Sequence, residues 1–244
     1  MFLAIVQVAK GSSPDKVIDI LSTINADVVV LPENWISRVV SEEELAEIFS
    51  RMPKFPILVP GAFYVKNNNV VKSKAYVLKN GTVTDFCEKI FPSHAVGESL
   101  RVSAGDKLCI TEHGWLKVGV LICVDLVYPE LARFYSARGV NLLLNPANIT
   151  RDRVSLWRSL AVARAFENHM YVAFVNNVRA VYPDGREVDG GSSVTSPNGV
   201  IVEEMGGEEG FKLAELHKEE VDYAKARRKY VDDVKRLSYS SLRL

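Results

Sequence analysis

Short apolar runs, cut by glycine, proline and polar clusters, recur along the chain, and their periods alternate between strand and helix. Residues 2–9 read as a buried strand. Gly11-Ser12-Ser13-Pro14 breaks it and opens a helix to about residue 24, with Ser13 as cap and Pro14 in the first turn. Residues 27–31, three of them consecutive valines, predict a second buried strand that ends in Pro32-Glu33-Asn34-Trp35. Ser41-Glu42-Glu43-Glu44 is a capping box for a helix to about residue 51. A strand over 57–65 precedes a polar turn at 66–69. A meander over 74–79 and 82–88 then folds about Asn80-Gly81, a strong hairpin signal. The segment 90–107 is a long loop, a class that in compact domains is usually functional or disordered.

The second half repeats the alternation. Residues 108–111 and 116–124 predict a hairpin across His113-Gly114, the second arm running as a buried strand as far as 124. Pro129 and Glu130 start a helix to about 138, proline and acid both suiting a first turn. Strands at 141–145 and 171–178 flank a helix over 156–168. A hairpin at 192–196 and 200–204 turns on Pro197-Asn198-Gly199, and a strand at 211–216 leads to a helix at about 219–228 and a basic tail. Parallel-type alternation together with hairpins implies mixed sheets with helices packed outside them. No linker or composition shift divides residues 1–244, so one domain is expected, with about 217–244 as a C-terminal helix and tail open to a dimer interface.

Charge changes the picture mainly by exclusion. Thirty basic residues balance thirty acidic ones, leaving no global field for nucleic acid or anionic lipid, and no apolar run reaches the length of a membrane span. The amino terminus reads as a strand rather than a signal peptide, and three cysteines make no disulfide framework, so a cytoplasmic protein is expected. The four histidines are scattered and no metal-ligand spacing occurs. No metal and no cofactor are expected.

Three strand ends carry chemistry. Glu33 follows the second strand, Lys89 ends the meander, and Cys123 stands between a buried strand and a helix start, where open α/β sheets place their sites. A carboxylate can take a thiol proton, and an ammonium favours the thiolate and then stabilises an oxyanion on an attacked carbon. The backbone N–H of Val124, just after the thiol, is a second donor to that oxyanion. On pattern alone the alternative stays open: cysteine is common in cores, and strand-end acids and lysines are mostly solvated.

The motifs around these residues resemble the nitrilase superfamily of carbon–nitrogen hydrolases. VVVLPE with Glu33, EKIFP with Lys89 and GVLICVDLVYPELAR with Cys123 are similar to its three catalytic segments. LLLNPAN with Asn148, RAFEN (164–168) and GGSSVTSPNG match later family motifs in order. Glu98 matches a second family glutamate, a supporting residue that positions the lysine and the substrate. The resemblance implies a four-layer α-β-β-α sandwich of two mixed β-sheets, a Glu33–Lys89–Cys123 catalytic triad, and a homodimer paired through the helices after Cys123 and around Arg164. For Arg164 and Glu167, a solvated ion pair is the competing reading.

Two departures stand out: Phe91 where the family has histidine, and Val124 where tyrosine or tryptophan is frequent, both expected to alter the pocket wall. Asp125 follows the amidase-like Cys-x-Asp pattern, which favours small-molecule amides over nitriles as substrates. Trp35 and Asn148 are the candidate substrate-binding residues. N-carbamoyl or ureido compounds and nitriles are alternative substrates. A Cys123–His94 dyad and a catalytically silent dimeric scaffold are the rival mechanism and class.

Overall fold

In the computed structural model, which describes residues 1–236, β1 (Phe2–Gln7), β2 (Val28–Val30) and β3 (Ile57–Val59) run parallel. They share a seven-stranded sheet with β4 (Ala62–Asn67), β5 (Val70–Lys79), β6 (Thr82–Glu88) and the late strand β15 (Gly210–Glu215), all antiparallel to their partners. The second sheet has six strands in the order β14-β13-β10-β9-β8-β7, built from β7 (Ile110–His113), β8 (Leu116–Val120), β9 (Leu142–Pro146), β10 (Tyr171–Val175), β13 (Ser193–Thr195) and β14 (Ile201–Glu204). In it β8, β9 and β10 are parallel and the outer strands antiparallel.

Strand side chains alternate between faces, and the core follows that alternation. Leu3, Ile5, Val28 and Val30 pack with β8, β9 and β10 of the other sheet. Ala4, Val6, Val29 and Leu31 point the opposite way, onto α1 (Pro14–Ser22) and α2 (Glu42–Ser50) through Val17, Leu21, Leu45 and Phe49. Across the molecule α3 (Pro129–Ser136) and α4 (Val154–Asn168) cover the second sheet with Ala132, Tyr135, Ala161 and Ala165. The result is the expected α-β-β-α order. It explains why the central strands are apolar throughout rather than alternating: both of their faces are buried.

The predicted caps are present, Ser13 accepting from Lys16 N and Ser41 from Glu44 N. Several bounds differ from the pattern. The strand expected over 57–65 is split in two at Pro60-Gly61. Gly61 has φ +107°, and a Cβ there would lie 2.2 Å from the Pro32 carbonyl oxygen, so only glycine lets this turn press against the loop that carries Glu33. A small hairpin, β11 (Ala180–Val181) with β12 (Glu187–Val188), closes around Pro183-Asp184-Gly185. The basic stretch 225–230 belongs to the end of α5 (Lys218–Arg227) and the start of a sixth helix, α6 (Tyr230–Arg236), where Tyr230 stacks on Phe166 and His169. The last part of the predicted tail, 237–244, lies outside the described residues. Among the described residues no helix is long and apolar enough to cross a membrane.

Candidate active site

The strand predicted to reach residue 124 ends at Val120, and the chain turns into a 3-10 helix over Cys123–Val127. Cys123 adopts φ 51°, a left-handed conformation that costs a non-glycine residue roughly 1–2 kcal/mol. Surrounding side chains hold it there. Asn145 Nδ2, from β9, donates to the carbonyls of Leu121 (2.7 Å) and Cys123 (3.1 Å). Arg164 reaches from α4 to the Leu126 and Val127 carbonyls at 3.0 and 2.7 Å, and also pairs with Glu167 at 3.0 Å. Arg164 is thus buried under the turn, which corrects the solvated-pair reading. The Asp125 carboxylate accepts from the amides of Ile90 and Phe91, both at 2.9 Å, tying the cysteine turn to the segment just after Lys89.

Glu33, Lys89, Glu98 and Cys123, predicted from four separate segments, meet in one place. Lys89 Nζ donates to Glu33 Oε1 at 2.9 Å and lies 2.7 Å from Glu98 Oε2, with all three side chains buried. Glu98 opens a short 3-10 turn inside the long loop. It accepts from Tyr64 Oη (2.9 Å) and from Ser93 N (2.7 Å), so both its oxygens are engaged. Behind Glu33, its amide donates to the Ala147 carbonyl at 3.2 Å, and its own carbonyl accepts from Asn177 Nδ2 at 2.5 Å. Asn177 Nδ2 also lies 3.0 Å from Asn148 Oδ1.

Burial governs the protonation of this cluster. It raises the Glu33 carboxyl above the ordinary range, while Lys89 and a hydrogen bond with the Cys123 thiol pull the other way. It also pushes the Cys123 thiol well up. The Glu33 charge adds to that rise, against the opposing Lys89 ammonium and Asn148 amide. For Lys89 burial disfavours the charge, but Glu33, Cys123 and Glu98 outweigh it and hold the amine well above its usual value. The geometry places the Lys89 ammonium between two glutamates beside the thiol, with Glu33 positioned to take the thiol proton. Asp125 is raised to about 7, burial dominating over the two amides it accepts from.

These groups open on a cavity of about 450 Å³, a volume suited to a small molecule. Val124 and Asn148 are on its wall, and no carbonyl or side chain of the described residues accepts the Val124 N–H. Trp35 is not there. It is fully buried in the outer core, its indole N–H donating to the Pro60 carbonyl at 2.7 Å and its ring edge-on to Phe63, so its expected contact with substrate is corrected to a packing role. Phe91 also leaves the cavity and stacks on Tyr128 (centroids 4.2 Å apart), whereas Val124 lines it. His94 is exposed against Ser99 in a separate depression and does not meet Cys123, which removes the dyad. Sequence reasoning missed Tyr64, Asn177 and Tyr182, whose hydroxyl bonds the side chain and carbonyl of Asn148. No local pattern marks them, because their partners lie about 30 or more residues away. Among the described residues no group of three or more His, Cys, Asp or Glu side chains is arranged to hold a metal ion.

The model of the family described as carbon-nitrogen hydrolase matches residues 14–226, most of the chain. The chain belongs to that family. The 2-oxoglutaramate amidase of Bacillus subtilis is 30% identical to this carbon–nitrogen hydrolase over 228 residues, covering 88% of this chain and 87% of the Bacillus protein. Among solved structures, XC1258 from Xanthomonas campestris, a superfamily protein with an arsenic adduct in its active site, superposes with a TM-score of 0.82 at 22% identity, covering 96% of both chains. A variant of the amidase from Nesterenkonia sp. AN1, showing covalent addition of the acetamide moiety of fluoroacetamide at its active-site cysteine, gives a TM-score of 0.78 at 25% identity, again over 96% of both chains.

Proposed function

We propose that this carbon–nitrogen hydrolase is a small-molecule amidase that works through a thioester on Cys123. The reading is carried by one observation: a buried thiol, in a strained turn, shares a small cavity with a Glu33–Lys89–Glu98 cluster whose carboxylate can accept its proton. The amidases among its relatives support an amide as the bond that is cut.

Glu33 takes the thiol proton as sulfur attacks the amide carbonyl carbon. Lys89 and the Val124 N–H hold the tetrahedral oxyanion, as preorganised donors do when they are aimed at charge that develops during reaction. Collapse breaks the C–N bond, Glu33 returns the proton to the leaving nitrogen, and ammonia departs. Glu33 then deprotonates a water molecule that attacks the thioester, and the acid and the free thiol are regenerated. Glu98, locked by Tyr64 and Ser93, positions Lys89 rather than exchanging protons. As part of the same proposal, the protein acts in the cytoplasm as a homodimer. Exposed Phe134, Leu156 and Phe166 on α3 and α4 are the apolar surface available for pairing.

An ammonia-release screen over aliphatic amides, N-carbamoyl amino acids and nitriles tests the reading, with carbon dioxide scored alongside. Ammonia from amides without carbon dioxide, lost in Cys123→Ala, is the expected result. Undiminished release by Cys123→Ala would overturn it, and carbon dioxide as co-product would move the assignment to carbamoyl compounds.

A further inference from the structure

The two sheets deliver the base and the nucleophile separately. Glu33 follows β2 of the seven-stranded sheet, whereas Cys123 and Asn148 follow β8 and β9 of the six-stranded one. No ladder within either sheet can fix the distance between them, yet a base takes a proton only from a group within hydrogen-bond reach.

Asn177, just past the end of β10, is the side chain that spans this gap. It is fully buried, and its Nδ2 lies 2.5 Å from the Glu33 carbonyl oxygen, 3.0 Å from Asn148 Oδ1 and 3.5 Å from the Ala147 carbonyl oxygen. Two of these partners are backbone carbonyls, which can only accept, so the NH2 end of the amide must face them. Among the described residues no other group donates to the Glu33 carbonyl. The second link between the two segments is the Glu33 amide, which donates to the Ala147 carbonyl at 3.2 Å. One brace therefore stands on each side of the Glu33 α-carbon.

The side chain has a rigid footing. The Asn177 carbonyl accepts from the Gly190 amide at 2.8 Å, and the next residue, Val178, donates to the Val8 carbonyl (3.1 Å) and accepts from the Lys10 amide (3.2 Å). Both arms of the brace lead to reacting atoms. Glu33 carries the carboxylate, and the Asn148 backbone amide hydrogen-bonds the Cys123 sulfur and favours its thiolate. Tyr182 secures Asn148 from its other side, its hydroxyl meeting the carbonyl at 2.7 Å and Nδ2 at 3.0 Å.

We propose that Asn177 is a positioning residue: it ties Glu33 of one sheet to Asn148 of the other and so keeps the carboxylate within proton-transfer reach of Cys123. The inference rests on Glu33 as the base of the amidase reading and adds the group that sets its geometry. An error of about 1 Å in such a placement can cost ~10²-fold in rate.

The test is a double-mutant cycle on the rate at which chloroacetamide alkylates Cys123, read by peptide mass spectrometry. In that reaction the thiol proton passes to the base, sulfur bonds the methylene carbon and chloride leaves. Asn177→Ala should slow alkylation by ~10–100-fold in the parent. In a Glu33→Gln background it should cost less than ~2-fold, because a residue that acts through the base has nothing left to position. In amide turnover the same variant should lower kcat by a similar factor while KM stays within about threefold. Equal losses in the two backgrounds, or no loss in the parent, would overturn the proposal and leave the amidase reading intact, since general loosening of the fold acts whether or not the base is present. Alkylation as fast in Glu33→Gln alone as in the parent would overturn both, by removing Glu33 as the base. Asn177→Asp, which keeps the volume and puts an oxygen in place of the donating NH2, takes the place of Asn177→Ala in the cycle if circular dichroism shows that the alanine variant has not folded.

Discussion

Cys123 and the pair Cys87 and Cys109 are all buried, free thiols, yet they sit in different kinds of surroundings. Cys87 lies in regular β6, and its Sγ is 3.7 Å from the Ala75 carbonyl oxygen. Burial, with Cys109 beside it, pushes its thiol far up. Both residues belong to the apolar core between the sheets and line no site cavity. Cys123 belongs to the same core but stands where a strand has given way to a left-handed turn. It faces a carboxylate and an ammonium and opens on a cavity. Burial therefore does not separate the thiol proposed as nucleophile from the two that pack. Unusual backbone, charged partners and an opening do.

The sharpest way to break this contrast is to remove each sulfur in turn. Cys123→Ala should lower kcat by at least ~10⁴-fold with an unchanged circular-dichroism spectrum, since an absent nucleophile disables the whole catalytic unit. Cys87→Ala and Cys109→Ala should leave kcat within about twofold and cost about 1–2 kcal/mol in urea unfolding, the scale of a small core cavity. Next in size, Lys89→Gln should cost ~10²–10³ in kcat through the lost oxyanion donor. A loss no larger than twofold would mean the ammonium only fills space. Third, a small alkylating amide should label Cys123 at least ~10-fold faster than Cys87 or Cys109, as peptide mass spectrometry reports, because thiol reactivity needs both access and a base. Equal rates would erase the distinction between the two regions.

A last prediction bears on stability rather than catalysis, and concerns pH. Asp125 is raised to about 7 in the fold against an ordinary value of 3.8, so between those values the native state binds more protons than the unfolded state. Its contribution to stability therefore falls as pH rises from about 4 to about 7, by at most ~1.4 kcal/mol per unit, and is flat above. Urea unfolding of the parent and Asp125→Asn across that range should show this downward component in the parent alone. Parallel curves would mean that Asp125 is ionised throughout.

The contrast also explains what the residues revealed in advance. The strands, helices and layers were legible because central strands buried on both faces must be apolar throughout, and caps such as Ser13 and Ser41 are local signals. Three of the four clustered side chains drew attention by standing at element ends, but the family motifs around them decided the reading, and Glu98 was found only through its match to a family glutamate. The end of β8 was not legible: residues 121–124 are as apolar as the strand before them, and the groups that hold the turn, Asn145, Arg164 and the Ile90 and Phe91 amides bound by Asp125, come from other segments. Trp35 misled for a related reason. Its neighbour Glu33 faces the cavity, but adjacent residues of a tight loop diverge, and the indole found its acceptor at Pro60.

Acid-quenching the enzyme during turnover of an amide, followed by intact and peptide mass spectrometry, interrogates the covalent step itself. An acyl group should appear on the peptide that contains Cys123, at a mass that tracks the acid part of each amide supplied, and should vanish in Cys123→Ala. Turnover with no adduct on Cys123, or an adduct on Cys87 or Cys109 instead, would contradict a nucleophilic role for the one thiol that the fold sets beside Glu33 and Lys89.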